Sequence, residues 1–358
     1  MRWLGRVDPN GALFDPLGLP GGDRIGMVAG KLMPRGTLLI EAELPAGRDP
    51  VIVLDHNVTA LWRSGLRIET TPDGCLHITQ RQEDRQRRFT LATSLSGQAA
   101  QIRLMFGWDG PGQRATLSLD IAETGAHHYA VLPAPLPLSL DDAAALCRAG
   151  GRTLGGAHLQ SLAVADDVLP IGPLPTLDGQ TPIATPSGLR PISSLRAGQQ
   201  VVLPDGQFAQ VRWCGAVDLP TMGRLAPVTL RAPFFGAMRD LTCAPEQRLL
   251  MRSCEVEYLF ATDAVAALVG DLGSGTVPVR DAAPVTRYWQ VVLDRAVPLR
   301  VGGLDLEGLD ARRLADDPTL HAHSILRDLP RELLPVSRGV PPVLRDFETR
   351  TLCQLRAA

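Results

Sequence analysis

The sequence predicts an all-β chain of two domains, on three observations. Between residues 36 and 133, eight segments of six to nine residues mostly alternate apolar with polar side chains. Turn residues separate them, among them Pro72-Asp73-Gly74, Ser96-Gly97 and Asp109-Gly110-Pro111-Gly112. Glycine (35) and proline (30) are spread through the 358 residues without a period, which suits many short strands and tight turns.

Taken in order, residues 1–35 read as loop, with Trp3, Leu4, Leu13 and Phe14 as packing anchors. The eight strands follow at 36–44, 50–56, 66–71, 75–80, 87–95, 100–108, 114–122 and 127–133. Ile102, Leu104, Phe106 and Trp108 share one face, as do Leu117, Leu119 and Ile121. Eight such strands make an antiparallel sandwich. The mixed-sign run Arg81–Arg88 reads as a solvated hairpin end, and His127 and His128 point to opposite faces, so they cannot share a metal. One helix interrupts at 140–149, with Ser139 as N-cap, Asp141 and Asp142 in its first turn and Gly150-Gly151 ending it; a last strand returns at 159–169. Residues 100–122 resemble the paired strands of concanavalin-like and laminin-G-like jelly rolls. That resemblance implies a lectin-like domain, 1–168, with a glycan as ligand. The candidate site is Trp62 with Asp55 and Asn57: an aromatic platform beside groups that fix hydroxyls. Trp108, alternating with Phe106 and Leu104, belongs in the core.

A proline-stiffened linker, 169–175, leads into the second half. Turns around Ser187 and at Pro204-Asp205-Gly206, an amphipathic piece carrying Ile192 and Leu195, and a break at Gly198 read as strand, turn, single helical turn, strand, turn, strand. Residues 255–270 read as a strand followed by a short helix, then a strand at 288–294 and a strand pair around Gly302-Gly303. The tail, 313–358, is polar, then proline-broken, and is expected to pack back on this domain.

The segments Thr181-Pro182-Ile183-Ala184-Thr185-Pro186-Ser187-Gly188, Leu195-Arg196-Ala197-Gly198-Gln199, Asp205-Gly206 and Val211-Arg212-Trp213-Cys214-Gly215 resemble the Hint (Hedgehog/intein) family of bacterial proteins. Residues 227–251 and the closing run Val343–Glu348 extend the likeness. It implies a Hint-type β domain with short helices over 176–312. It also implies an autoprocessing chemistry in which an N-terminal Cys or Ser attacks the preceding carbonyl and a His protonates the departing amine. The residues at those positions are wrong for it. Thr176 occupies the nucleophile position, Ala244-Pro245-Glu246-Gln247 replaces a motif ending in His, and Arg295 stands where a second His is expected. None of the seven histidines lies between 159 and 320, and neither Gln nor Arg shuttles protons near pH 7. Asp178 or Glu246 as base, with Cys214 or Cys243 as nucleophile, are the remaining candidates for a rearranged centre. Thr176, Ala244, Gln247 and Arg295 are therefore expected to form a vestigial site in a small pocket without a metal.

With 36 basic and 38 acidic residues and net charge -2, nothing points to nucleic acid as a bulk partner. The six cysteines form no CxxC, so no metal or other cofactor is expected; they read as buried small hydrophobes, with a Cys243–Cys254 bridge as the alternative. No apolar run is long enough for membrane insertion, and residues 1–22 lack the apolar core of a signal peptide, which leaves the compartment open. The expectation is a non-catalytic adaptor that binds a glycan, a protein partner or further copies of itself, as in a surface spike or phage-like particle. The rivals are self-cleavage at Pro175–Thr176 and glycoside hydrolysis on the sandwich, which needs two carboxylates facing across a groove.

Overall fold

The computed structural model describes residues 1–21, 32–47, 49–59, 63–95, 97–148, 157–309, 311–336, 339 and 341–357. It divides into two compact units, Met1–Ile171 and Gly172–Ala358.

In the first unit the strands are β1 (Trp3–Asp8), β2 (Gly11–Phe14), β3 (Leu32–Met33), β4 (Arg35–Leu44), β5 (Val51–Thr59), β6 (Arg63–Thr70), β7 (Cys75–Gln82), β8 (Arg85–Ala92), β9 (Ala100–Asp109), β10 (Arg114–Ile121) and β11 (Ala126–Pro133). After them come β12 (Leu138–Ser139), α1 (Leu140–Arg148) and β13 (His158–Ala165). All eight expected strands form. They divide between a seven-stranded sheet, β11-β10-β9-β4-β13-β1-β2, and a four-stranded sheet, β5-β6-β7-β8. Leu38, Ile40, Leu104 and Phe106 of the larger sheet share one buried core with Leu66, Ile68, Leu76 and Phe89 of the smaller. The Phe89 and Phe106 rings meet across it at 5.9 Å between centroids. This is a β-sandwich, with its alternating residues turned inward as the periodicity requires. Trp108 is fully buried and donates from Nε1 to the Met33 carbonyl at 2.9 Å. Its indole lies flat over Gly36, where an added Cβ would come within 2.1 Å of the ring, so only glycine fits there.

The N-terminus corrects the sequence reading. Residues 3–14 are not loop but a hairpin, and β1 pairs with β13 inside the larger sheet. Trp3, Leu4 and Val7 are buried as anchors, Phe14 packs against the core, and Leu13 is exposed.

Helix α1 is fastened by one carboxylate. The Ser139 hydroxyl accepts from Asp142 N at 3.0 Å, an N-cap, and Asp142 answers by accepting from Ser139 N and Oγ. Asp142 also accepts from Ser64 Oγ on β6 at 2.5 Å and bonds His56 Nε2 on β5 at 3.0 Å. It is 2% exposed. Burial alone would raise its pKa, but the hydrogen bonds from His56, Ser139 and Ser64 prevail and hold it at about 2. The expected glycine stop at 150–151 lies outside the described residues.

In the second unit the strands are β14 (Leu177–Asp178), β15 (Pro182–Thr185), β16 (Gly188–Pro191), β17 (Gln200–Val202), β18 (Phe208–Pro220), β19 (Val228–Leu230), β20 (Leu241–Cys243) and β21 (Arg248–Met251). They continue through α2 (Cys254–Phe260), β22 (Val265–Leu268), β23 (Thr276–Pro278), β24 (Val285–Leu293), β25 (Leu299–Val301) and β26 (Leu304–Leu306) to α3 (Arg312–Asp316), α4 (Pro318–Ala322) and α5 (Asp346–Ala357). A seven-stranded sheet runs β17-β18-β24-β14-β20-β19-β23, a four-stranded one β22-β21-β26-β25, and β15 pairs with β16. The expected order is present with one strand added: β15, turn, β16, a 3-10 turn at Ile192–Ser194, β17, turn, β18, where β16 was not expected. Residues 254–268 run the other way from the expectation: the helix comes first, capped by Ser253 Oγ on Val256 N, and the strand second. Leu344 and Leu352 of the tail are buried in this unit's core. The six cysteines are free, which removes the Cys243–Cys254 bridge; Cys254 starts a helix rather than a hairpin strand.

Asp142 has a lowered carboxyl pKa, so its contribution is present above about pH 3.8 and is lost as pH falls toward 2. Asp142→Asn should therefore cost about 2 kcal/mol in urea unfolding at pH 7, a penalty that shrinks between pH 4 and pH 2. A penalty independent of pH would contradict this account.

Candidate functional site

In the second unit the site grows out of its shortest central strand. Leu177 pairs with Trp289 of β24 on one side and with Cys243 of β20 on the other. Thr176 is thereby fixed at the mouth of the loop after β20. Its carbonyl accepts from Ala244 N at 2.7 Å, and its hydroxyl donates to Gln247 Oε1 at 2.5 Å. Gln247 is 2% exposed. Its amide nitrogen donates to the carbonyls of Arg248 (2.9 Å) and Glu307 (3.0 Å), so both N–H groups are committed and only the oxygen can face Thr176. Its backbone is held as well, donating to Ala244 O and accepting from Val269 N. Thr176, Ala244 and Gln247 are thus brought together.

Arg295 is not, and this corrects the fourth member of the set. β24 meets Leu177 at Trp289 and runs on to Leu293 opposite Val211. Arg295 lies beyond its end, where it donates to Gln207 Oε1 and to the Phe208 carbonyl. The residue missed by sequence reading is Glu307, whose carbonyl orients the Gln247 amide from 60 positions away. No local pattern marks it.

The other candidate side chains have partners or burial of their own. Asp178 Oδ1 accepts from Gln180 N, and Glu246 pairs with Arg224 at 3.4 Å. Burial pushes the Cys243 thiol up to about 12, and Cys214, despite Arg196 nearby, to about 11. Both sulfurs pack with the core around Leu177, and Cys214 Sγ lies 3.4 Å from the Ile192 carbonyl. Among the described residues no group of three or more His, Cys, Asp or Glu side chains could hold a metal ion.

The first unit offers a different surface. The bulge at Ile52/Leu54 turns Asp55 and Asn57 outward and His56 inward, toward Asp142. Asn57 donates from Nδ2 to Asp55 Oδ1, and Asp55 pairs with Arg67 at 2.8 Å. Trp62, the expected aromatic platform, lies outside the described residues. The outward residues form a grid set by strand register: Asn57–Gly65–Arg81–Gln86, then Asp55–Arg67–Thr79–Arg88, then Glu69–His77–Thr90. Arg67 also binds Glu69 at 2.9 Å, Arg88 approaches Glu69 at 3.6 Å, and Arg81 donates to Gln86. At Gly65 an added Cβ would come within 2.8 Å of Asn57 Oδ1, so glycine makes room for that amide.

If the cysteines are as inert as their surroundings indicate, native protein in iodoacetamide at pH 8 will label exposed Cys254 while Cys214 and Cys243 stay unmodified until urea is added. Native labelling of Cys214 or Cys243 at the rate of Cys254 would show an open, activated thiol instead.

Residues 175–312 match the family model described as Hint domain. No curated protein matches the chain. Among solved structures, the gp41-1 intein is 10% identical, with 38% of this chain and all of the intein covered, at a TM-score of 0.23. The MchDnaB-1 intein is 16% identical over 37% of this chain and 99% of its own, at a TM-score of 0.26. The CBM40 of a Ruminococcus gnavus IT-sialidase, bound to α2,3-sialyllactose, is 15% identical over 39% of this chain and 78% of its own, at a TM-score of 0.28. Likeness at that level says nothing of what this chain binds or cuts. The family match and the β architecture stand without it: residues 175–312, within the second unit, are similar to the Hint domain.

Proposed function

We propose that this protein is a non-catalytic binding module, a glycan-binding sandwich joined to a Hint domain without autoprocessing activity, working as an adaptor. The Thr176–Gln247 contact carries the reading. An acyl shift at Pro175–Thr176 needs the threonine hydroxyl to lose its proton as it attacks the Pro175 carbonyl, and needs an acid for the Thr176 nitrogen. The hydroxyl instead spends its proton on an amide oxygen, which accepts a hydrogen bond but does not hold a proton near pH 7. The amide cannot rotate to offer anything else without breaking two buried bonds to backbone carbonyls. Purified full-length protein kept with dithiothreitol or hydroxylamine should stay a single 38.4 kDa species. A fragment with Thr176 as its new N-terminus would overturn the reading in favour of self-cleavage.

The glycan half of the proposal is supported by the outer grid of the four-stranded sheet. Its side chains are cross-bonded, so they are ordered before any ligand arrives, and they offer carboxylates, amides, a hydroxyl and guanidinium groups in one plane. Arg88 is half exposed and only loosely paired, which leaves N–H groups for a sugar. On a glycan array the full-length chain should retain a sugar, with Asn57→Ala and Arg88→Ala each weakening binding at least tenfold at unchanged melting temperature. Undiminished binding in both variants would remove this face as the site.

A further inference from the structure

The Hint unit carries a second surface that the vestigial centre does not use. The loop Arg231–Asp240, the turn at Gly275 and the β25–β26 hairpin converge on the four-stranded sheet. Arg231 N donates to Gly275 O (2.9 Å), and Met238 N donates to Gly302 O (2.7 Å). Between them lies a groove of 160 Å³ lined by Phe235, Leu250, Met251, Arg252, Leu304 and Asp305.

Apolar surface borders the groove. Phe234 is 43% and Met238 78% exposed, where long apolar side chains normally seek cover. The loop accepts a cost to hold them so: Phe235 has a φ of 56°, a left-handed conformation that a bulky side chain rarely adopts, and its ring lines the groove. Glycine is required where the hairpin meets the loop, because a Cβ at Gly303 would come within 2.5 Å of the Gly236 carbonyl.

The rim is cationic. Arg252 and Arg300 share the single carboxylate of Asp305, at 3.3 and 2.5 Å. Arg231 and Arg239 are exposed and form no ion pair among the described residues, and the Arg239 stem lies against Gly302 beside the groove. A largely polar groove bordered by the exposed Phe234 and Met238, with surplus guanidinium groups at its edge, complements an acidic segment that lays one aromatic or long aliphatic side chain against them. We propose that this groove is the docking point for such an acidic peptide segment of a partner protein. The proposal is independent of whether the Hint centre cuts or the sandwich binds sugar.

The test is fluorescence anisotropy of the full-length protein with an array of labelled dodecapeptides. Each holds one phenylalanine, leucine or methionine in an aspartate- and glutamate-rich background, and lysine-rich counterparts serve as controls. The expected result is saturable binding of acidic peptides alone, weakened at least tenfold by Met238→Asp and by the pair Arg231→Glu, Arg239→Glu. All three positions are exposed, and unchanged melting temperature will show that the fold is kept. Failure of every acidic peptide, equal binding of the lysine peptides, or binding indifferent to both variants would overturn the proposal. So would self-association seen by light scattering and abolished by Met238→Asp, which would make the groove an interface between copies of this chain.

Discussion

The pairing of Leu177 with two strands at once is the constraint on which the second unit depends. β14 is only two residues long, yet it stands between β24 and β20 and closes a seven-stranded sheet that would otherwise fall into two parts. Leu177 is fully buried, in the same core as Cys243 and Val291. Removing it from the sheet would expose apolar surface and break main-chain bonds on both sides. The residue before it therefore has little freedom. Thr176 is delivered to the β20–β21 loop whether or not chemistry follows.

That separation explains how a scaffold and a reaction come apart. The position of Thr176 is set by backbone pairing and by the bond from Ala244 N, neither of which depends on the identity of the reactive side chains. The reactivity depends on side chains alone. The Gln247 amide accepts from the Thr176 hydroxyl and donates to the Arg248 and Glu307 carbonyls. Thr176 and Gln247 are joined by a hydrogen bond, and neither side chain takes up a proton near pH 7.

Much of the fold was legible because apolar and polar residues alternate along most strands, including β4 and β9, which are buried on both faces. The eight strands of the sandwich were visible for that reason, as was the burial of Trp108. β1 was not, since its residues do not alternate. The usable signal was the turn Asp8-Pro9-Asn10-Gly11, read only as part of a loop. At 254–268 the β-prone residues Val256, Tyr258 and Phe260 masked a helix that Ser253 and two early glutamates announce. At the site, Thr176 and Gln247 were legible through the motif that positions them. Arg295 was misplaced because sequence spacing does not reveal where along β24 the short strand attaches. The polar grid around Asp55 was half visible; its remaining members, on β6, β7 and β8, are joined to it only by register.

The central proposal is that side chains, and not the backbone, leave this centre without autoprocessing. The direct measurement is the intact mass of the double variant Thr176→Cys, Gln247→His beside the unaltered protein after incubation with hydroxylamine. The account predicts a cut before residue 176 in the double variant and a single uncut species in the unaltered chain. Cleavage of the unaltered chain, or a double variant as inert as the original, would contradict it.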